Sequence, residues 1–179
     1  MRPATIAKNY AEALFAAGEQ SGDTARFASL IEAVAGAIEA DDRIRLVLES
    51  PRVPKATKSG LLRRALEGKA PVVFVRFLDA VVRRGRQGLI PDISRQYLAL
   101  LDVKLNRLHA GVVAARMPDA ALQGEIAERL SAVFGKEVIP HFREDPALIG
   151  GLVVRVGDRV LDGSVRRKLL RLRTQMLGG

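Results

Sequence analysis

Residues 71–82 read Pro-Val-Val-Phe-Val-Arg-Phe-Leu-Asp-Ala-Val-Val, and this is the longest strongly apolar stretch of the 179-residue chain. Arg76 and Asp79 alone interrupt it. A helix that crosses a membrane needs about 20 apolar residues, so the stretch is too short to span one. Pro71 suits the first turn of a helix. Because the segment is apolar on nearly every side, it predicts the buried central helix of a folded core.

Five further segments with helical spacing accompany this one. Apolar residues recur every three or four positions over residues 6–17, 27–38, 44–48, 61–66 and 93–108. Helix-breaking residues separate the segments, including Ser50-Pro51 and Gly68. The sixth helix is predicted to begin near Pro91 and to run to Leu108. Six helices with short connections predict a bundle over residues 1–108.

The pattern changes over residues 109–179. Segments 111–117, 136–143, 149–156 and 159–161 have the composition of strands, and Pro140 confines the second of them to an edge or a bulge. Gly157-Asp158 predicts a two-residue hairpin turn. Apolar positions after Asp119 and again from Val165 to Met176 predict two helices. The fold class is therefore mainly α, a six-helix amino-terminal bundle followed by a small α+β domain with a thin core.

Residues that carry enzyme chemistry are few. The chain has no Cys, which excludes disulfides, thiol catalysis and Cys-based metal sites. His109 and His141 have no partner at metal-ligand spacing. No nucleophile elbow or triad pattern occurs, and Gly150-Gly151 lacks the Lys-Ser/Thr of a phosphate-binding loop, so a backbone role at a close approach or a bulge is expected for it. We therefore expect no catalytic residue, metal or cofactor.

The net charge of +9 raises the question of an acidic partner. It is spread along the chain, with 17 Lys+Arg against 12 Asp+Glu in residues 1–106 and 12 against 8 in residues 107–179. Residues 165–173 (VRRKLLRLR) hold five cations and no acid. They fit a solvated helix face with cations near its carboxyl end, a docking surface for an acidic protein, or a phosphate-binding helix. The helix lacks aromatic residues that would stack on bases.

The apolar stripe of the first helix also has two interpretations. Ile6, Tyr10, Ala13 and Leu14 are typical of plain core. Small residues on the same helix would equally allow a partner helix to approach closely, namely Ala11, Ala13, Ala16 and Ala17.

One long stretch identifies a family. Residues 145–170 (DPALIGGLVVRVGDRVLDGSVRRKLL) resemble the carboxy-terminal signature of the delta subunits of F-type ATP synthases, called the oligomycin-sensitivity-conferring protein in mitochondria. Residues 7–14 (AKNYAEAL) resemble the opening motif of that family, and residues 77–86 (FLDAVVRRGR) resemble the end of its fifth helix. The opening motif departs at Asn9, where the family commonly carries Arg. The resemblance covers essentially the whole chain.

The resemblance implies a non-catalytic stator subunit that joins the catalytic head to the peripheral stalk. In the family, helices one and five form a groove for the amino-terminal segment of an alpha subunit. The matching positions here are Tyr10, Ala13, Leu14, Phe74, Leu78 and Val81. The carboxy-terminal domain holds the end of a b-type stalk subunit, for which the matching positions are Leu152, Val154, Val165, Arg166, Leu169 and Leu172.

The expected location is the cytoplasmic face of a bacterial cell membrane, as a peripheral protein without membrane insertion. Glu12, Glu19 and Asp23 argue against an acid-poor transit peptide, and the amino terminus lacks a signal-peptide core. The alternative function is a basic nucleic-acid-binding module that uses Arg166, Arg167, Lys168 and Arg171. The resemblance favours protein partners over nucleic acid.

Overall fold

The computed structural model describes residues 3–148 and 150–164. The chain divides into two compact units, the first ending at Lys104 and the second beginning at Leu105. The sequence placed this division at residue 108. The predicted fold class is confirmed, because helices form the first unit and a small sheet with a helix forms the second.

Six α-helices form the first unit. They are α1 (Pro3–Ser21), α2 (Thr24–Ala40), α3 (Asp42–Glu49), α4 (Lys55–Leu66), α5 (Val72–Arg83) and α6 (Ile90–Lys104), with a short 3-10 turn at Gln87–Leu89 before α6. Asp41 begins α3 as its cap, since its carboxylate accepts a hydrogen bond from the Arg43 N–H at 2.8 Å.

Helix α6 lies at the centre of this unit, and α1 and α2 both pack along it. Its residues Ile90, Ile93 and Tyr97 are fully buried. The Tyr97 hydroxyl donates a hydrogen bond to the Thr24 carbonyl at 3.0 Å, which links α6 to the start of α2. Burial raises the pKa of Tyr97 to about 12, and the nearby Glu19 carboxylate adds to the shift.

The prediction that α5 is the buried central helix is wrong. Its buried residues are Phe74, Leu78, Val81 and Val82, which occupy one face, and α5 packs mainly against α4. Val72 and Val73 are 65% and 45% exposed. The charged residues that interrupt the apolar run explain the difference, because a guanidinium such as that of Arg76 stays in water unless it is paired.

The second unit contains β1 (Arg107–Ala114), α7 (Ala120–Phe134), β2 (Glu137–Glu144), β3 (Leu152–Val156) and β4 (Arg159–Asp162). The sheet order is β2-β1-β3-β4. Strands β1 and β2 are parallel and are joined through α7, whereas β3 is antiparallel to both β1 and β4. The hairpin turn at Gly157-Asp158 and the edge position of the strand that contains Pro140 are confirmed.

The boundary between α6 and β1 differs from the prediction. The helix ends at Lys104 and β1 begins at Arg107, so Leu108 is a strand residue and not the end of a helix. Asn106 between them has a left-handed backbone with φ of 53°. Its carbonyl accepts a hydrogen bond from the Glu137 N–H at 3.2 Å. This conformation turns the chain out of the helix and starts the pairing of β1 with β2.

Helix α7 covers one face of the sheet. The core there consists of Ala110, Val112, Ile126, Leu130, Val138 and Val154. Side chains alternate across a strand, so Gly111, Val113 and His109 of β1 lie on the opposite face. The last predicted helix, residues 165–176, lies outside the described residues.

Candidate functional site

Most residues expected to line a groove between α1 and α5 are core residues. Ala13 is exposed, while the other five are buried, namely Tyr10, Leu14, Phe74, Leu78 and Val81. These five side chains belong to one hydrophobic cluster of the first unit. The structure therefore brings the expected residues together, but it places them beneath the surface.

A different set of apolar residues lies at the surface beside this cluster. We call it the α1–α5 surface, and it consists of Ile6, Ala13, Ala17, Val73, Phe77 and Ala80. Ala13 and Val73 are exposed, and the other four are half-buried. The rings of Tyr10 and Phe77 meet edge to face with centroids 6.1 Å apart, which joins the two helices at this place.

Sequence spacing could have found this set. Val73, Phe77 and Ala80 recur at intervals of four and three residues, so they share one side of α5. That side flanks the stripe of Phe74, Leu78 and Val81. Sequence reasoning identified the most apolar stripe of each helix, and such a stripe is normally the one that faces the core.

Two arginines lie at one end of the α1–α5 surface. Arg84 and Arg86 follow α5 directly, and each donates a hydrogen bond to the Tyr10 hydroxyl oxygen, at 3.3 Å and 3.5 Å. The Arg86 guanidinium also lies 5.5 Å from the centroid of the Tyr10 ring. The bond to Tyr10 raises the pKa of Arg84 above its ordinary value, so this guanidinium is charged at every physiological pH.

Asp79 joins α4 to α5 on another side of the bundle. Its carboxylate lies 2.8 Å from the Arg63 guanidinium and 3.0 Å from that of Arg83. The nearby Ser59 side chain lowers the pKa of Asp79 most, burial opposes the shift, and the two arginines add to the lowering. The role of this cluster is structural, since it ties together two neighbouring helices.

The second unit has a cavity of about 940 Å³ between α7 and the sheet. The α7–sheet cavity is lined mainly by apolar side chains, including Met117, Leu122, Ile126, Leu130, Leu152 and Val154. Charged residues of both signs stand around it, among them Asp119, Glu125 and Arg129. Leu152 and Val154, expected to contact the stalk, thus lie in its wall. The other expected stalk contacts, Val165, Arg166, Leu169 and Leu172, lie outside the described residues.

Gly151 shapes the wall of this cavity. Its φ is +87°, and a Cβ there would lie 2.5 Å from the Gly163 carbonyl oxygen and 3.0 Å from the Ser164 Cα. Gly163 in turn donates its N–H to the Leu152 carbonyl at 2.9 Å. The close backbone approach predicted for Gly150-Gly151 is confirmed at Gly151, where only glycine fits.

His109 and His141 are paired by the sheet. The Nδ1 atom of His109 lies 2.8 Å from the Nε2 atom of His141, and the rings are stacked with an interplanar angle of 16°. The two residues are 32 positions apart in sequence, so spacing gave no indication of the pair. Within residues 3–148 and 150–164, no three His, Cys, Asp or Glu side chains converge as metal ligands.

None of the described helices is long and apolar enough to cross a membrane. This agrees with the shortness of the apolar run at residues 71–82, which the structure divides between a buried and an exposed face of α5.

Sequence comparison connects the chain to one family. Residues 6–176 match the family described as ATP synthase delta (OSCP) subunit. A protein from Gemmatimonas aurantiaca named ATP synthase subunit delta is 45% identical over 174 residues, which cover 97% of this chain and 94% of that protein. A protein of the same name from Desulforamulus reducens is 31% identical over 172 residues, covering 96% and 95% of the two chains.

A solved structure has the same fold. A chain in the cryo-EM structure of the Toxoplasma gondii mitochondrial ATP synthase hexamer matches with a TM-score of 0.69. The match covers 96% of this chain and 97% of that chain at 21% sequence identity. At this identity, the likeness concerns the fold.

Proposed function

Because the chain belongs to the ATP synthase delta (OSCP) family, we propose that it is a non-catalytic stator subunit of a proton-translocating F-type ATP synthase. In this role it links the alpha subunits of the catalytic head to the b-type subunits of the peripheral stalk and resists rotation of the head. The observation that carries the proposal is the family match over residues 6–176, supported by a relative that is 45% identical over nearly the whole chain.

The proposed contact with the head is the α1–α5 surface. An amphipathic helix from the amino terminus of an alpha subunit would lay its apolar side on this surface. Val73 is 45% exposed and Phe77 is half-buried, so both can lose further apolar area to a partner. Ala13 and Ala17 are small and let a partner helix approach α1 closely. The buried residues Tyr10, Leu14, Phe74, Leu78 and Val81 act by supporting this surface.

The proposed contact with the stalk is the second unit. The α7–sheet cavity, with Leu152 and Val154 in its wall, offers an apolar site to the carboxyl end of a b-type subunit. Val165, Arg166, Leu169 and Leu172 belong to the same proposal through their sequence. A partner that fills the cavity also stabilises the small core of this unit, because binding to the folded state favours it.

A stator has a holding task, and the chemistry of both surfaces suits it. A link under torque depends on slow dissociation more than on fast association. Contacts between apolar side chains are weakly sensitive to salt, in contrast with exposed ion pairs. The proposed location is peripheral, at the cytoplasmic face of a bacterial cell membrane, held there through other subunits.

The contact with the head can be tested at one valine and a matched control. Val73→Asp places a charge on the α1–α5 surface, and Val103→Asp makes the same change on α6, where Val103 is 79% exposed. A synthetic peptide of about 20 residues from the amino terminus of the alpha subunit is the probe, long enough for about 30 Å of helix. Isothermal titration calorimetry measures its affinity for the full chain.

We expect Val73→Asp to lower the affinity for the peptide at least about tenfold, because the new carboxylate loses its hydration in an apolar contact. Val103→Asp should leave the affinity unchanged. Equal affinities of the two variants would contradict the assignment of the surface. Leu14→Asp and Leu78→Asp are poorer tests, because both side chains are in the core and a charge there unfolds the bundle.

The alternative, a basic nucleic-acid-binding module, receives no support from the family or from the two relatives. Its four residues, Arg166, Arg167, Lys168 and Arg171, lie outside the described part of the chain. It predicts a steep salt dependence of nucleic-acid affinity. The stator proposal predicts that the protein co-purifies with the head of the ATP synthase.

A further inference from the structure

The loop after α5 brings two cations to one neutral oxygen. Arg84 and Arg86 both donate to the Tyr10 hydroxyl, and 74 and 76 positions of sequence separate them from it. A phenol oxygen carries no charge at neutral pH, so it accepts these hydrogen bonds without neutralising either guanidinium. Two like charges are therefore held close together at the end of the α1–α5 surface.

The backbone of the loop fixes both arginines. Gly85 has a φ of +68° and donates its N–H to the Val82 carbonyl at 2.9 Å, while the Arg86 N–H donates to the Val81 carbonyl at 3.0 Å. This pair of bonds is the Schellman motif that ends a helix, with glycine at the left-handed position. Arg84 and Arg86 flank that glycine. Their placement is thus set by the helix end and does not depend on side-chain flexibility alone.

Neighbouring polar groups anchor the loop further. The Lys55 ammonium donates to the Arg83 carbonyl at 2.8 Å, and the Gln87 side-chain amide donates to the Leu48 carbonyl at 2.9 Å. These bonds tie the loop to the start of α4 and to α3. A site on such a loop is ordered before a partner arrives, which reduces the entropy lost on binding.

Carboxylates inside the described chain do not neutralise this pair. Among residues 3–148 and 150–164, the ion pairs recorded for the surrounding arginines join Arg63 and Arg83 to Asp79, and none involves Arg84 or Arg86. Arg84 is exposed and Arg86 is half-buried. Each guanidinium has five N–H donors and gives one bond to Tyr10, so donors remain for a ligand.

We propose that Arg84 and Arg86 form a carboxylate clamp at the end of the α1–α5 surface, and that the helix bound there carries an Asp or Glu that enters it. This inference rests on the proposed function and defines the partner more narrowly, as an amphipathic helix with an acidic residue at one end of its apolar face. Arginine suits the task because its planar fork matches a carboxylate in two-point contact.

A purely structural role makes a different prediction. Cations near the carboxyl end of α5 interact favourably with the helix dipole, and the Arg86 guanidinium makes a cation–π contact with the Tyr10 ring. If these effects were the whole role of the two arginines, replacing them would change the stability of the first unit. The affinities for an acidic and for a neutral peptide would then change by the same factor.

The test is a double-mutant cycle on the full chain. The variant R84Q/R86Q removes both charges and keeps hydrogen-bonding side chains. Arg95→Gln is the control, because the Arg95 guanidinium is already paired with Asp92 and Glu39 on the surface of the same unit. The probes are the alpha-subunit amino-terminal peptide and a version in which every Asp and Glu is replaced by Asn or Gln. Calorimetry at low and moderate salt measures the affinity of the wild type and of each variant for both peptides.

We expect R84Q/R86Q to lower the affinity for the intact peptide about 10- to 100-fold at low salt, as the loss of hydrogen bonds to a charged group predicts. The same variant should bind the neutral peptide as the wild type does, and Arg95→Gln should bind both peptides normally. Restoring acidic residues one at a time then identifies the carboxylate. Equal weakening of both peptides, or no weakening of either, would overturn the clamp.

The outcomes separate this inference from the function on which it rests. Failure of the wild-type chain to bind either peptide contradicts the assignment of the α1–α5 surface, and with it the clamp. Binding that Val73→Asp abolishes but R84Q/R86Q leaves unchanged keeps the surface and eliminates the clamp alone. Tyr10→Phe, which removes the shared oxygen and keeps the ring, should weaken the intact peptide about two- to fivefold if Tyr10 positions the arginines.

Discussion

Over the described residues, the two units differ in how completely they enclose their cores. In the described residues, the hydrophobic core of the first unit has 19 buried residues arranged around α6, whereas that of the second unit has six between one helix and one face of a sheet. The second unit also leaves the α7–sheet cavity of about 940 Å³. Within the described residues the first unit therefore has the larger enclosed core, and the proposed stalk contact would stabilise the second unit by filling its cavity.

The chain carries separate spectroscopic probes for the two units. It has no Trp, and both tyrosines, Tyr10 and Tyr97, lie in the first unit. Both histidines, His109 and His141, lie in the second. Tyrosine fluorescence therefore reports unfolding of the first unit, and the imidazole proton resonances in NMR report that of the second. The two signals together follow the unfolding of both units in one sample.

The largest expected effect comes from leucine truncation in the two cores. Leu14→Ala should lower the free energy of unfolding of the first unit by about 4 kcal/mol, because the side chain is fully buried within the core cluster and its loss leaves a cavity. Leu130→Ala should lower that of the second unit by about 2 kcal/mol, since Leu130 already borders the α7–sheet cavity. Urea titration followed by the two probes measures both values. Equal losses would remove the contrast between the cores.

Gly151→Ala should destabilise the second unit by about 3 kcal/mol, because the positive φ is strained for alanine and the new Cβ overlaps the Gly163 carbonyl. Gly124→Ala is the matched control in α7, where an added Cβ meets nothing within 4 Å. It should stabilise the same unit by up to about 1 kcal/mol, through helix propensity. The imidazole resonances in urea measure both changes, and a Gly151→Ala variant as stable as the wild type would contradict this account of the cavity wall.

A carboxy-terminal peptide of the b-type subunit should stabilise the second unit by about 2.7 kcal/mol at a concentration 100 times its dissociation constant. The same peptide should leave the first unit unchanged. The histidine signals are then expected to shift to higher urea while the tyrosine signal stays in place. A shift of the tyrosine signal alone would show that the peptide binds the first unit, and it would contradict the proposed stalk contact.

The smallest expected effect concerns the ion pairs of Asp79 in the first unit. Asp79→Asn should lower the free energy of unfolding of the first unit by about 1 kcal/mol at pH 7. A mostly covered carboxylate paired with two arginines stabilises the fold more than an ordinary surface ion pair does. The folded pKa of Asp79 is lowered, so its contribution is complete above the unfolded value of about 3.9 and is lost as the pH falls through the folded value.

Tyrosine-monitored unfolding from pH 7 to pH 3 therefore should show the difference between Asp79→Asn and wild type shrinking with acid. Glu12→Gln is the control, because Glu12 makes an exposed pair with Lys8 at 3.9 Å. It should change the stability by less than about 0.5 kcal/mol at every pH. A difference for Asp79→Asn that stays constant with pH would exclude the carboxylate charge as its cause.

Local features of the second unit followed from its sequence. The two-residue turn at Gly157-Asp158, the edge position of Pro140 and the need for glycine at residue 151 each reflect a backbone restriction carried by one or two residues. The end of α6 did not follow, because apolar residues continue with helical spacing to Leu108 while Asn106 adopts a left-handed turn. Pairing with β2 decides that boundary, and periodicity contains no information on pairing.

The sequence by itself determined the family, the six helices and the apolar stripe of each helix, since all of these depend on residues close together in the chain. The tertiary structure decided which apolar residues of each helix are buried and which remain at the surface. Leu14 and Phe74 belong to the buried core of the first unit, where the Phe74 ring packs against the Phe27 ring of α2, whereas Ala13 and Val73 lie at the surface although they are also apolar. The meeting of Tyr10 with Arg84 and Arg86, like that of His109 with His141, joins distant segments. Only the packing of helices and strands brings such residues together.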